Sequence, residues 1–227
     1  MIKCDLHIHS KYSFDSLADP KKIVDLALAS GIQCIAIADH GNIKGPLEAR
    51  EYAKKNNLPM LVIISEEVKS KQGDILALNV KDPIPDHLPA GEVLKIIKEQ
   101  GGTSIIAHPF GLFCGFKENL ENYLGRFDGV EILNASVFSG NKIAAAFAKK
   151  HNLPFTAGSD AHFANRFVGK SQLELPLDYS PALTAAQVIA AIKQKTGNIA
   201  GNPEPFLSKV LDHTLRSLAK LKKFAKQ

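Results

Sequence analysis

A chain of 227 residues with 45% hydrophobic and 22% charged side chains can build one α/β domain with a large core, and this composition excludes a mainly disordered protein. No apolar run approaches the roughly 18 residues of a membrane span, and Met1-Ile2-Lys3-Cys4-Asp5 does not open an export signal, so no transmembrane segment and a cytoplasmic location are expected. The net charge of +5 is unevenly spread, with six Lys/Arg against two Asp/Glu between Pro203 and Gln227 and a nearly neutral body before them.

Ile2–Leu6 reads as a strand, and Pro20–Ser30 as a helix with Asp19 as N-cap, Pro20 at its first position and Gly31 at its end. Cys34–Ala38 is strand-like, Pro46–Asn57 helical, Met60–Ser65 a third strand and Ile75–Val80 a fourth. A helix over Gly91–Gln100 ends at Gly101-Gly102. Then follow a strand at Ser104–Ala107, a helix near Glu118–Leu124, a strand at Val130–Leu133, a helix over Gly140–His151 and a strand at Phe155–Ala157. Ser171–Leu175 reads as a final strand and Thr184–Lys195 as a helix, and residues 206–224 place Leu207, Leu211, Leu215, Leu218 and Leu221 along one helical face.

Continuous Val/Ile-rich runs are the mark of parallel strands buried on both faces, and repeated βα units make either a doubly wound sheet or a barrel. No Gly-rich phosphate loop follows an early strand, which weakens the doubly wound reading. Ionisable residues instead follow strand after strand, the arrangement of a barrel active site. The expected architecture is an irregular barrel of about seven βα units over residues 1–202, with 203–227 as a basic helical tail. Cys4, Cys34 and Cys114 are expected as buried thiols rather than as a disulfide framework or a zinc site.

Five of the eight histidines (His7, His9, His40, His108 and His162) fall at predicted strand ends. In an extended segment His7-Ile8-His9 sends both imidazoles to one face, where both can reach a metal at about 2.1 Å. Asp160-Ala161-His162 repeats that geometry with a carboxylate. His87, in a Pro-rich loop, His151, near a helix end, and His213, on the polar side of the tail helix, carry no such signal.

The segments Asp5-Leu6-His7-Ile8-His9-Ser10, Ser13-Phe14-Asp15-Ser16, Ala36-Ile37-Ala38-Asp39-His40, Ser65-Glu66-Glu67-Val68, Ile106-Ala107-His108-Pro109-Phe110 and Ala157-Gly158-Ser159-Asp160-Ala161-His162 resemble, in order, the polymerase and histidinol phosphatase (PHP) domain family. The resemblance spans residues 5–162. It implies a distorted (β/α)₇ TIM-like barrel, here followed by a C-terminal amphipathic helix, with two or three divalent metal ions at the strand C-termini. On the family pattern His7, His9, Glu67 and Asp160 hold one metal, Glu67 bridges to a second held by His108, and Asp15, His40 and His162 hold a third. Many members carry a histidine where this chain has Asp74, which could ligate the second metal through oxygen. Alternation puts Glu66 and Glu67 on opposite faces, and the family pattern favours Glu67 for the site.

A ligand set of imidazoles and carboxylates without thiolate fits Zn²⁺, Mn²⁺ or Fe²⁺. Asp39 and Glu131 are candidates to orient ligating imidazoles, to ligate or to contact substrate, and Arg166 is a candidate phosphate clamp. Glu67, Asp160 and His162 are the candidate catalytic residues, the last two as proton donors to the leaving oxygen. The family implies hydrolysis of a phosphate mono- or diester, and the neutral body favours a small phosphorylated substrate or a short oligonucleotide end over a long polyanion. Competing readings are hydrolysis at a carbon–nitrogen bond and a non-catalytic nucleic-acid-binding subunit like the PHP-related protein of ribonuclease P. The tail is expected to pack its leucines on the barrel with its lysines in water, or to offer those lysines to nucleic acid or an anionic membrane.

Overall fold

The computed structural model describes residues 1–163, 167–201 and 205–224. Nine strands form one sheet: β1 (Ile2–Ile8), β2 (Cys34–Asp39), β3 (Leu61–Lys69), β4 (Asp74–Leu78), β5 (Thr103–Ile106), β6 (Gly129–Asn134), β7 (Phe155–Gly158), β8 (Ser171–Leu175) and β9 (Asn198–Gly201). Among the described residues six α-helices accompany them: α1 (Pro20–Ala29), α2 (Lys44–Lys55), α3 (Ala90–Glu99), α4 (Asn141–Lys150), α5 (Ala185–Lys193) and α6 (Phe206–Phe224). The strand order is β7-β6-β5-β4-β3-β2-β1-β8-β9. The sheet nearly closes, because the segment after β7 returns to the end of β1: Asp160 N–H donates to the His7 carbonyl and His9 N–H to that of Ala161.

The expected distorted barrel is therefore present, with three differences from the βα rhythm. β4 runs antiparallel to both β3 and β5, because only the turn through Ser70 and Gly73 joins it to β3, too short a link for a crossover. The expected helix near Glu118–Leu124 is a 3₁₀ turn over Leu120–Tyr123. Ser171–Leu175 is a strand but not the last, since β8 pairs antiparallel with β1 and then with β9.

Helix boundaries follow local chemistry. Asp19 caps α1 by accepting from Lys21 N–H, and Thr184 with Gln187 forms a capping box on α5. One core cluster joins Cys4, Leu6, Ala36, Ile63, Leu76, Ile105 and Ala157 with Val188, Ala191 and Ile192 of α5, so α5 closes the barrel away from the strand C-termini. Outer clusters pack α1 and α2, and separately α3, against the sheet. Cys4 and Cys34 are buried neighbours in the β1–β2 register, but Cys114 is only half-buried, in a surface loop.

α6 inverts the sequence expectation for the tail. Leu207, Leu218 and Leu221 are 80%, 55% and 66% exposed, whereas Lys209, Asp212 and Ala219 are buried. The helix meets the barrel with its polar side because that side finds partners there. Lys209 Nζ donates to the Val137 carbonyl, and Lys223 Nζ donates to the carbonyls of Lys11, at 2.7 Å, and Ser13. Among the described residues no helix is long and apolar enough to cross a membrane.

Candidate metal centre

The five strand-end histidines converge. The β1–β2 register shifts between Asp5 and Ile8, and this bulge re-aims the strand, so that the phase carrying Cys4 and Leu6 into the core gives way to one presenting His7 and His9 together at the rim. His7 Nε2 and His9 Nε2 face each other at 3.1 Å, and Glu67 Oε2 lies 3.2 and 3.1 Å from them. Asp160 Oδ1 stands 3.8 Å from His7 Nε2 and 3.5 Å from His9 Nε2. The other Glu67 oxygen, Oε1, is 3.0 Å from His108 Nε2, and Asp74 joins that pair. Asp15 closes the third corner, with Oδ2 3.8 Å from His40 Nε2 and Oδ1 3.4 Å from His162 Nε2. All nine candidate ligands are thus brought together, and Glu67 rather than Glu66 faces them. Glu66 turns away to accept the Ile84 amide at 2.8 Å.

A second layer orients this set. Glu131 Oε1 lies 3.1 Å from His7 Nδ1 while its Oε2 accepts from His108 N–H and Asn134 Nδ2, so Glu131 fixes two strand ends at once. Of the three roles weighed for Asp39, orienting an imidazole is not the one it takes: it accepts from the amide and hydroxyl of Ser10, both at 2.6 Å, and touches no imidazole among the described residues. Asp5, which opens the first PHP-like segment but is given no role there, accepts the amides of Ser159 and Gly169 and pins the loop that bears Asp160. Gly158 is required beside it, since a Cβ there would overlap the β-carbon and amide of His7. His108 and Asp160 both take positive φ, 27° and 51°, which non-glycine residues seldom adopt, so backbone strain is concentrated at two candidate ligands.

Electrostatics follows from burial and proximity. Burial pushes the Glu67 carboxyl up, but His7, His40 and His108 outweigh it and hold the group well below the usual carboxylate range. Asp160 is held low in the same way, burial being overcome by Arg216, His7 and His9. Burial opposes a charge on His9, yet Asp160 and Glu67 raise it to about 9. His162 falls to about 3 through burial, Arg216 and His9.

Several cavity residues escape sequence reading. Arg216 of α6 donates from Nε to Asp212 Oδ2 at 2.5 Å and from Nη2 to the Asp160 carbonyl at 2.9 Å and to Ser136 Oγ. His213, expected to be inert on the polar side of the tail, stacks on Phe138 with ring centroids 4.9 Å apart and lines the cavity. Cys114, Lys69 and Lys220 line it as well. None belongs to a local motif; the heptad spacing of Lys209, Arg216 and Lys223 was the one available signal that α6 has a basic face with a purpose. Arg166 lies outside the described residues.

The donor set suits a divalent metal. Five groups of three imidazole or carboxylate atoms each lie within 4.8 Å of one another, and His7, His9, Glu67, His108 and Asp160 recur among them. Spacings near 3.1–3.5 Å match atoms arranged about 2.1 Å from a common ion. The buried His9 Nδ1, His108 Nδ1 and His162 Nε2 have no hydrogen-bond partner among the described residues, and His162 Nε2 faces Asp15.

Residues 5–166 match the PHP domain family and residues 138–196 the PHP-associated family. An uncharacterised protein of Methanocaldococcus jannaschii is 35% identical over 144 residues, 59% of this chain and 82% of that one. A 5′-3′ exoribonuclease of Haemophilus influenzae is 30% identical over 105 residues, 45% of this chain and 38% of that one. A crystal structure from Bacteroides vulgatus, of "a two-domain protein containing predicted PHP-like metal-dependent phosphoesterase", superposes with a TM-score of 0.74 at 20% identity, covering 88% of this chain and 65% of that one. With the family matched over residues 5–166, most of the chain, this protein belongs to the PHP domain family.

Proposed function

We propose that this protein is a metal-dependent phosphoesterase that hydrolyses a small phosphate mono- or diester. The observation that carries the reading is the sharing of ligands between neighbouring groups, above all Glu67, whose two oxygens face different histidine sets. Shared corners suit adjacent ions: His7, His9, Glu67 and Asp160 for one, Glu67, Asp74 and His108 for a second, and Asp15, His40 and His162 for a third, with Zn²⁺, Mn²⁺ or Fe²⁺ compatible with such donors.

When bound, such ions would lower the pKa of a coordinated water towards 7 and polarise phosphoryl oxygens. The chain's own residues supply the rest. Glu131, accepting a hydrogen bond from His7 Nδ1–H, leaves the Nε2 lone pair aimed into the site. His162 uses Nδ1 on the Asp160 carbonyl at 3.0 Å and is held neutral, which suits a ligand and speaks against the proton-donor role. Asp160 Oδ1, ringed by three imidazoles, is positioned to orient an attacking water, and Arg216 keeps its backbone in place.

The cavity over the site holds about 190 Å³, room for a phosphate and a few further atoms. Lys209, Arg216 and Lys223 are turned inward onto protein groups, which supports a small substrate over a polyanion track along the tail. The exoribonuclease relative makes short oligonucleotides one arm of the test. The test loads the purified protein with Mn²⁺, Zn²⁺ or Fe²⁺ and offers phosphomonoesters, cyclic nucleotides, short oligonucleotides and amides. A phosphate ester should be turned over, with Asp160→Asn slower by about a hundredfold or more. Turnover of amides alone would transfer the reading to carbon–nitrogen bonds. A protein that purifies without metal and stays inert with all three ions would be a binding module.

A further inference from the structure

Phe14 follows β1, and its ring stacks on the His40 imidazole with centroids 5.1 Å apart at 25°. Two ammonium groups approach that same ring from different parts of the chain. Lys69 Nζ, at the end of β3, lies 5.2 Å from its centroid, and Lys220 Nζ, on α6, lies 5.1 Å from it. Both side chains line the cavity, and Lys220 Nζ is 4.0 Å from Asp15 Oδ2.

One aromatic ring offsets two like charges only weakly, so this placement gains most from an anion shared by both. Asp15, Glu67 and Asp74 line the same cavity as both lysines and are the carboxylates assigned above to metal ions. Once committed to cations they no longer compensate the lysines, and an oxyanion at the mouth restores the balance.

We propose that Lys69 and Lys220, carried on Phe14, form an oxyanion subsite at the cavity mouth that takes the outward oxygens of the substrate's phosphate, which makes α6 part of the substrate-binding machinery. The proposal rests on the phosphoesterase reading. Its chemistry requires an ammonium pair within reach of the metal ligands, and the 4.0 Å approach of Lys220 to Asp15 provides that reach. A cation so close to a candidate ligand weakens metal binding if it does nothing else. Neutralising Lys220 therefore tightens metal if the residue only balances Asp15, and weakens phosphate if it serves the subsite.

The experiment is calorimetric titration of full-length, Mn²⁺-loaded protein with inorganic phosphate and with pyrophosphate, alongside metal content, for wild type, Lys69→Gln, Lys220→Gln and Lys220→Arg. Each Gln variant should weaken phosphate binding about tenfold, the worth of one charge-assisted hydrogen bond, with Lys220→Arg within about threefold of wild type. Loss confined to pyrophosphate would place the subsite on a second anionic group of the substrate instead. If both probes bind both Gln variants as tightly as wild type, or if the variants change only metal content, the subsite is wrong while the phosphoesterase reading stands. If metal-loaded wild type binds neither probe and cleaves no phosphate ester, both fall together.

Discussion

Oε1 of Glu131 lies 3.1 Å from Nδ1 of His7, while Oε2 of the same carboxylate accepts the main-chain N–H of His108. A single side chain on β6 thus orients an imidazole at the end of β1 and fixes the backbone after β5. An amide cannot repeat this. With its oxygen towards His7, Glu131→Gln sets its NH₂ against two donors, His108 N–H and Asn134 Nδ2; flipped, it sets the NH₂ against His7 Nδ1 and reverses the tautomer. The variant should fold and lose metal affinity by about tenfold to a hundredfold, measured by competition with a chromogenic chelator. Wild-type affinity would remove Glu131 from the orienting role.

Asp74 is grouped with Glu67 and His108. Asp74→Ala should lower the bound metal by about one equivalent after dialysis, while Asp74→His should retain it, since imidazole and carboxylate are alternative donors for the same ions. Elemental analysis of both variants decides the point. Full occupancy in Asp74→Ala would show that Glu67 and His108 suffice.

Arg216 is 14% exposed and its partner Asp212 1%. Removing the guanidinium strands a buried carboxylate, so Arg216→Met should destabilise the protein by about 3 kcal/mol and lower Tm by roughly 6–12 °C. Adding Asp212→Asn removes the stranded charge and should restore at least half of the loss in a thermal melt. A double variant no better than the single would place the energetic weight on the Ser136 and Asp160 contacts instead.

Glu66, buried beside β4, has its carboxyl raised from 4.5 to about 7, chiefly by burial and further by Asp86 and Asp39, against the Ile84 amide. The folded protein therefore keeps a proton that the unfolded chain releases, and stability declines as pH rises between about 4.5 and 7, then levels off. That decline is on the order of 3 kcal/mol for this group. Glu66→Gln should flatten it, so the difference in Tm between variant and wild type grows in the variant's favour from about pH 4.5 to about pH 7. A difference that does not change with pH would mean that Glu66 is ionised in the fold.

Much of the site was legible along the chain because its signals are local. A His-x-His pair in an extended run shares one face whatever the tertiary fold, and an apolar run that ends in a polar pair, as Cys34–Ala38 ends in Asp39-His40, marks a strand terminus by contrast in polarity alone. The barrel and the gathering of His7, His9, His40, His108 and His162 follow from repeating that pattern strand after strand. What local pattern does not hold is direction and partner. Periodicity shows the same apolar run whether β4 is parallel or antiparallel, and the short turn before it decides. The leucine spacing of α6 marks an apolar face without saying which face meets the barrel. Asp160, Asp212 and the carbonyls of Lys11, Ser13 and Val137 draw Arg216, Lys223 and Lys209 inward and leave Leu207, Leu218 and Leu221 outside. Glu131 and Asp39 look alike as carboxylates on apolar strands, yet one orients an imidazole and the other a serine loop, because each pairs with whichever donors the folded sheet brings within about 3 Å.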